Sequence, residues 1–196
     1  MKILETLPNS EKLNLRMKSL ATLDAIFSPE WEYRYYSFDS NWSTDEEMGS
    51  IRNGSGDDVF MLFNSSGCFM KGFAHEYRNS KIIVDSLYAG VPQVFETALK
   101  EPAFSPDNAT FCFWSLNAGR KWESSVSESD LDIDSFFLIQ DLAENEENYQ
   151  NFVTEYYEVE SEIQDIQAVF DHQPLTQSLA EAINQEIDYS SLLNDN

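Results

Sequence analysis

Beyond Lys121 the sequence contains no lysine or arginine, although 75 residues follow and 19 of them are acidic. The first 121 residues hold all 12 basic side chains against 16 acidic ones, so the formal charge of −23 divides as −4 and −19. A field of that sign repels phosphate, which excludes direct nucleic-acid binding and an anionic lipid surface as first expectations. Cysteine is scarce as well. Cys68 and Cys112 each sit in a hydrophobic run and read as buried, reduced thiols rather than a disulfide framework. The two histidines, His75 and His172, are far apart in the chain and give no metal-ligand spacing with the cysteines. Long apolar runs are missing, so no segment is expected to span a bilayer. The N-terminal stretch is interrupted by Glu5, Pro8 and Asn9 before a secretory core can form. These absences point to a cytoplasmic protein with no cofactor.

What is present is a large apolar inventory. Hydrophobic residues make up 42% of the chain and aromatics 14%, which excludes a disordered acidic tail and supplies area for one core. Leu13, Met17, Leu20, Leu23 and Phe27 recur at helical spacing over residues 10–27, with Asn9 or Ser10 as cap and Pro29 as stop. Trp31 to Phe38 has strand composition. Val59–Phe63 and Cys68–Phe73 flank Asn64-Ser-Ser-Gly67, a hairpin signal. Pro92 opens a short helix to Lys100, and Thr110–Leu116 is a further aromatic strand. Ser135–Ile139 fits a strand or a helix equally well. Tyr149, Phe152, Val153 and Tyr156 then mark a helix, and Ile163–Phe170 a second. A third starts at Pro174 with Leu175, Leu179, Ile183 and Ile187 on one stripe. Segregated strands and helices predict an α+β fold: one domain over 1–187, with an antiparallel sheet packed against an N-terminal helix and C-terminal helices. Residues 188–196 are expected to fray.

Catalytic motifs are incomplete wherever they begin. The loop Arg52-Asn-Gly-Ser-Gly-Asp-Asp58 lacks the lysine and spacing of a phosphate loop, and Asp57 and Asp58 would repel a phosphate, so it reads as a turn before a strand. Asp130, Asp132 and Asp134 imitate the opening of a calcium loop. Ser135 stands where the turn glycine belongs, however, and alternating Leu131 and Ile133 predict a half-buried strand edge instead. His75-Glu76 has no second histidine at zinc-protease spacing. The acidic half remains. It is either a solvated face that keeps the protein in solution or a docking surface for a basic protein. The docking residues would be Asp130, Asp132, Asp134, Glu144, Glu146, Glu147, Glu155, Tyr156, Glu158 and Glu160. The alternative is a small-molecule binder or enzyme built on Trp42, Arg52, Asp57, His75 and Glu76.

Tyr33-Arg-Tyr-Tyr-Ser-Phe38, Glu46-Glu-Met-Gly-Ser-Ile-Arg-Asn-Gly-Ser-Gly-Asp57, Gly72-Phe-Ala-His-Glu76, Glu101-Pro-Ala-Phe104, Thr110-Phe-Cys-Phe-Trp114 and His172-Gln-Pro-Leu-Thr176 together resemble a family of uncharacterised bacterial proteins. The resemblance spans most of residues 30–176. It implies a bacterial, cytoplasmic α+β domain and carries no activity or site residue with it. Small acidic bacterial proteins include immunity proteins that neutralise basic toxins, an analogy of class only.

Overall fold

The computed structural model describes residues 2–78, 82–117, 121–143 and 146–193. A short helix α1 (Ile3–Thr6) places Ile3 and Leu7 in the core, and α2 (Ser10–Phe27) follows. The Asn9 carboxamide oxygen accepts from the Lys12 N–H at 2.9 Å and caps α2, whose stripe of Leu13, Met17, Leu20, Leu23 and Phe27 is buried. The strand expected from Trp31 opens only at Tyr36, because Trp31–Tyr33 is a single 3-10 turn. Arg34 holds that turn: it donates from Nε to the Ser28 carbonyl and from Nη2 to the Pro29 carbonyl, both at 2.8 Å.

Six strands run in chain order across one sheet: β1 (Tyr36–Ser43), β2 (Glu46–Arg52), β3 (Asp58–Asn64), β4 (Gly67–Phe73), β5 (Phe111–Leu116) and β6 (Trp122–Glu123). Every neighbouring pair is antiparallel. Directly opposed residues share a face, so Tyr36, Ile51, Val59, Gly72 and Phe111 form one row and Ser37, Ser50, Phe60, Lys71 and Cys112 a row on the other side. The Phe111 ring lies directly over Gly72, where a Cβ would stand only 2.1 Å from the ring, so no larger residue fits that row unchanged.

The second face is covered by the chain between β4 and β5, including α3 (Val84–Tyr88) and α4 (Glu96–Lys100). Phe95 packs against Phe69, and Phe104 stacks on Phe60 at 5.1 Å. On the first face α2 brings Met17 against Gly49. The segment after β6 completes that layer, with Phe136 against Phe111 and Phe113.

Residues 128–140 differ from the expected strand edge. They form 3-10 turns at Glu128–Asp130 and Ile133–Phe136, running into α5 (Phe137–Gln140). Turn chemistry prevails here: Asp132 accepts from the Asp134 N–H at 3.1 Å, and the Ser135 hydroxyl donates to the Asp132 carbonyl at 2.6 Å. Leu131 is buried while Ile133 stands exposed.

The C-terminal layer comprises α6 (Glu146–Tyr156), α7 (Ile163–Phe170), α8 (Gln177–Ile183) and α9 (Tyr189–Leu192). Thr176 rather than Pro174 marks the start of α8, its hydroxyl accepting from the Leu179 N–H, and Ile187 falls in a turn beyond the helix. Leu192 in α9 is buried, which ties residues 189–192 to the body. Hydrogen bonds join α2 to the C-terminal layer, among them those from the Ser19 hydroxyl to the Val169 carbonyl at 3.1 Å and from the Asn184 amide to the Ile26 carbonyl at 2.8 Å. No helix among the described residues is long and apolar enough to cross a membrane.

Candidate functional site

At the end of α2, between the 3-10 turn at Trp31 and the end of α6, lies a cleft of about 690 Å³. Four rings form part of its walls: Phe27, Tyr33, Tyr156 and Tyr157. Glu30 and Glu32 stand exposed at the same cleft, and the loop between β2 and β3 contributes Gly54, Gly56 and Asp57. Tyr33 is 61% exposed and Tyr156 40%, unusual exposure for large rings placed beside one cavity. Trp31, 53% exposed, flanks them, with the Arg52 guanidinium 3.8 Å above its ring.

A fully buried carboxylate behind the lining anchors Tyr157. Asp24 of α2 accepts from the Tyr149 hydroxyl at 2.6 Å, the Tyr157 hydroxyl at 2.7 Å and the Tyr36 N–H at 2.6 Å. The Tyr157 oxygen also accepts from the Tyr35 N–H at 3.2 Å. One side chain thereby joins α2, β1 and α6. Burial pushes the Asp24 carboxyl up to about 6, against the opposing pull of the bonds from Tyr149, Tyr36 and Tyr157. Burial likewise raises the hydroxyls of Tyr149 and Tyr157, so both stay neutral donors. Around this anchor the rings interlock: Tyr156 lies 4.9 Å from Tyr157, 5.1 Å from Phe152 and 5.3 Å from Tyr35, and Tyr157 stacks on Phe27 at 5.8 Å.

The glycine-bearing loop is a self-contained turn. Asn53 accepts from the N–H groups of Ser55 and Asp57 and donates to the Asp57 carboxylate at 2.7 Å, while Gly54 and Gly56 take positive φ of 73° and 101°. Asp57 is buried and receives both the His75 N–H at 2.8 Å and the His75 Nδ1 at 2.7 Å. Burial acts to raise the Asp57 carboxyl, but the bonds from His75 and Asn53 overcome it and hold it below the ordinary range.

Of the residues that sequence singles out, Arg52, Asp57 and Tyr156 meet at this cleft, and His75 adjoins it through Asp57. Glu76 is exposed in the turn His75–Tyr77. Trp42 packs on Phe104 at 5.8 Å and is not part of the cleft lining. The acidic candidates divide among several surfaces. Asp132 borders a hollow that also holds Lys2 and Lys121, and Glu146 borders another with Lys12, Arg16 and His172. Asp130, Asp134, Glu147, Glu155, Glu158 and Glu160 are exposed, and Glu144 lies outside the described residues. The ion pairs Lys2–Glu5, Lys18–Glu47, Lys71–Asp58, His75–Asp57 and Lys100–Glu96 each fall within the first hundred residues. Among the described residues no group of three or more His, Cys, Asp or Glu gathers as a metal ion requires.

Sequence reasoning passed over Asp24, Glu30, Glu32, Tyr33 and Arg34. A signal existed for Asp24, which stands seven residues after Met17 and four after Leu20, hence on the apolar stripe of α2. No family model matches the chain, and no curated protein and no solved structure matches it.

Proposed function

We propose that this protein is a binding module of inhibitor or immunity type that docks a basic partner through the tyrosine-walled cleft and the carboxylates around it. One observation carries the reading: Tyr33 and Tyr156 stand exposed at the same cleft as Glu30 and Glu32. Interface cores are enriched in Tyr, Trp and Arg, and the Trp31–Arg52 stack beside the cleft adds both remaining types. Glu155 and Glu158 flank Tyr156 and Tyr157 in the chain and form no ion pair among the described residues, so they extend the negative rim. Such a rim speeds encounter with a cationic protein and weakens with salt. The setting that suits this reading is the bacterial cytoplasm, where the buried thiols of Cys68 and Cys112 would stay reduced.

The test is capture from an extract of the native host at low salt, followed by elution with rising salt. A basic partner released by salt, and retained poorly by Tyr156→Ala, is the expected result. A neutral or acidic partner, or a complex indifferent to salt, counts against the reading.

The contact between Asp57 and His75 favours a second reading, a ligand-binding or catalytic role. A buried carboxylate on Nδ1 orients the imidazole and leaves Nε2 as the ring atom open to other partners. Thermal-shift screening of metabolites discriminates the two: a specific stabilisation abolished by His75→Ala supports this second role.

A further inference from the structure

We infer that the cleft is the receptor for one arginine side chain of the partner, taken up against the rings of Tyr33 and Tyr156 with Glu30 and Glu32 as counter-charges. The inference rests on the docking reading above and names what enters the site. At about 690 Å³ the cleft exceeds the volume of any single side chain and falls within the range of ligand pockets generally. Its walls offer flat π faces with an acidic margin, the combination that attracts a planar, weakly hydrated guanidinium.

The charges already present select the sign of the guest. Both arginines of the lining are engaged elsewhere: Arg34 is buried, with its guanidinium donating to the Ser28 and Pro29 carbonyls, and the Arg52 guanidinium lies over the Trp31 ring. The wall carboxylates are partly committed too, Asp58 to Lys71 at 2.8 Å and Asp57 to His75 and Asn53. Glu30 and Glu32 remain exposed, and their charges, with a hydrogen bond to Glu32, raise the Tyr33 hydroxyl above its ordinary value. The lining holds four carboxylates, Glu30, Glu32, Asp57 and Asp58, against two guanidinium groups, Arg34 and Arg52, so its formal balance is negative and favours a cationic guest. Such a guest meets two exposed carboxylates and two rings that are partly exposed. A carboxylate accepts two parallel N–H bonds from guanidinium, which an ammonium cannot supply, so arginine is the better fit than lysine.

The experiment uses the full chain and three defined probes: acetyl-Gly-Arg-Gly-amide, the same peptide with lysine, and the same peptide with citrulline, the neutral near-isostere of arginine. Heteronuclear NMR titration follows the amides of Gly54 and Gly56 and the rings of Tyr33 and Tyr156. The arginine peptide is expected to shift these signals saturably in the millimolar range and the citrulline peptide to leave them in place. Glu30→Gln with Glu32→Gln, both at exposed positions, is expected to weaken uptake about fivefold or more while the remaining spectrum is unchanged. Equal response to citrulline, no saturable shift at the cleft, or equal affinity for lysine would each overturn the assignment. Partner capture that survives without arginine uptake removes this inference alone. Arginine uptake without any basic partner removes the docking reading instead.

Discussion

The Asp24 carboxylate and the Tyr157 hydroxyl meet at 2.7 Å, and this contact fixes a wall of the cleft to the interior of the protein. Asp24 is raised from 3.8 to about 6, so the folded protein holds this proton more tightly than the unfolded chain does. The stabilising effect of proton uptake is therefore complete below about pH 4, declines as pH rises from about 4 to 6, and is gone above that window. The span corresponds to about 3 kcal/mol at 1.36 kcal/mol per pH unit. Urea unfolding at pH 7 and pH 5 is expected to show greater stability at pH 5. In Asp24→Asn that increment is expected to shrink to the part contributed by the remaining acids.

Tyr149→Phe removes one of the donors to Asp24 without changing the ring. At pH 7, where the carboxylate is ionised, the loss is expected to be about 1–3 kcal/mol, and smaller at pH 5. A difference between the two pH values in paired denaturation curves distinguishes lost hydrogen bonding from lost packing.

Lys71 is 1% exposed, pairs with Asp58 at 2.8 Å, and lies near the rings of Phe60 and Phe73. Burial lowers the Lys71 amine, and Asp58 offsets part of that. Asp58→Asn strands the ammonium and is expected to cost about 3 kcal/mol, whereas Lys71→Met, which removes the buried charge itself, is expected to be tolerated far better. Chemical denaturation of the two variants decides it, and equal losses would contradict the account.

Gly72→Ala places a methyl group 2.1 Å from the Phe111 ring. Neither strand can shift without disturbing the ladder from β3 to β5, so a loss of about 1–3 kcal/mol is expected. The companion change Phe111→Leu should recover part of it in a double-mutant cycle.

The formal charge of −23 makes the fold repel itself. Melting temperature is expected to rise from dilute buffer to physiological salt, with chloride and acetate acting alike because screening does not distinguish them. A response confined to one ion would indicate specific binding instead.

Much of this architecture was legible because it is written in short-range pattern. The stripe on α2, the Asn9 cap, the hairpin around Ser65 and Ser66, and the apolar spacing of α6 each follow from neighbours within a turn or two. Trp31 and Leu131 misled for a common reason: aromatic and alternating apolar residues have strand composition, but Arg34 and Asp132 fold those stretches back through hydrogen bonds to local backbone. The cleft was only partly visible. Arg52, Asp57 and Tyr156 were singled out for separate reasons, and nothing in their spacing says that the loop after β2 and the end of α6 share a wall. Asp24 was hidden by its polarity, since a count of apolar positions passes over a carboxylate that sits among them.

The sheet's sequential strand order has a consequence for synthesis. Residues 36–73 can pair as soon as they leave the ribosome, because every partner strand is the next in line. The face that α2 only partly covers must then wait for Phe136 and the tyrosines of α6, encoded much later. Nascent chains cut short before that point would present a greasy, half-finished sheet, and these are the species on which chaperones should be found.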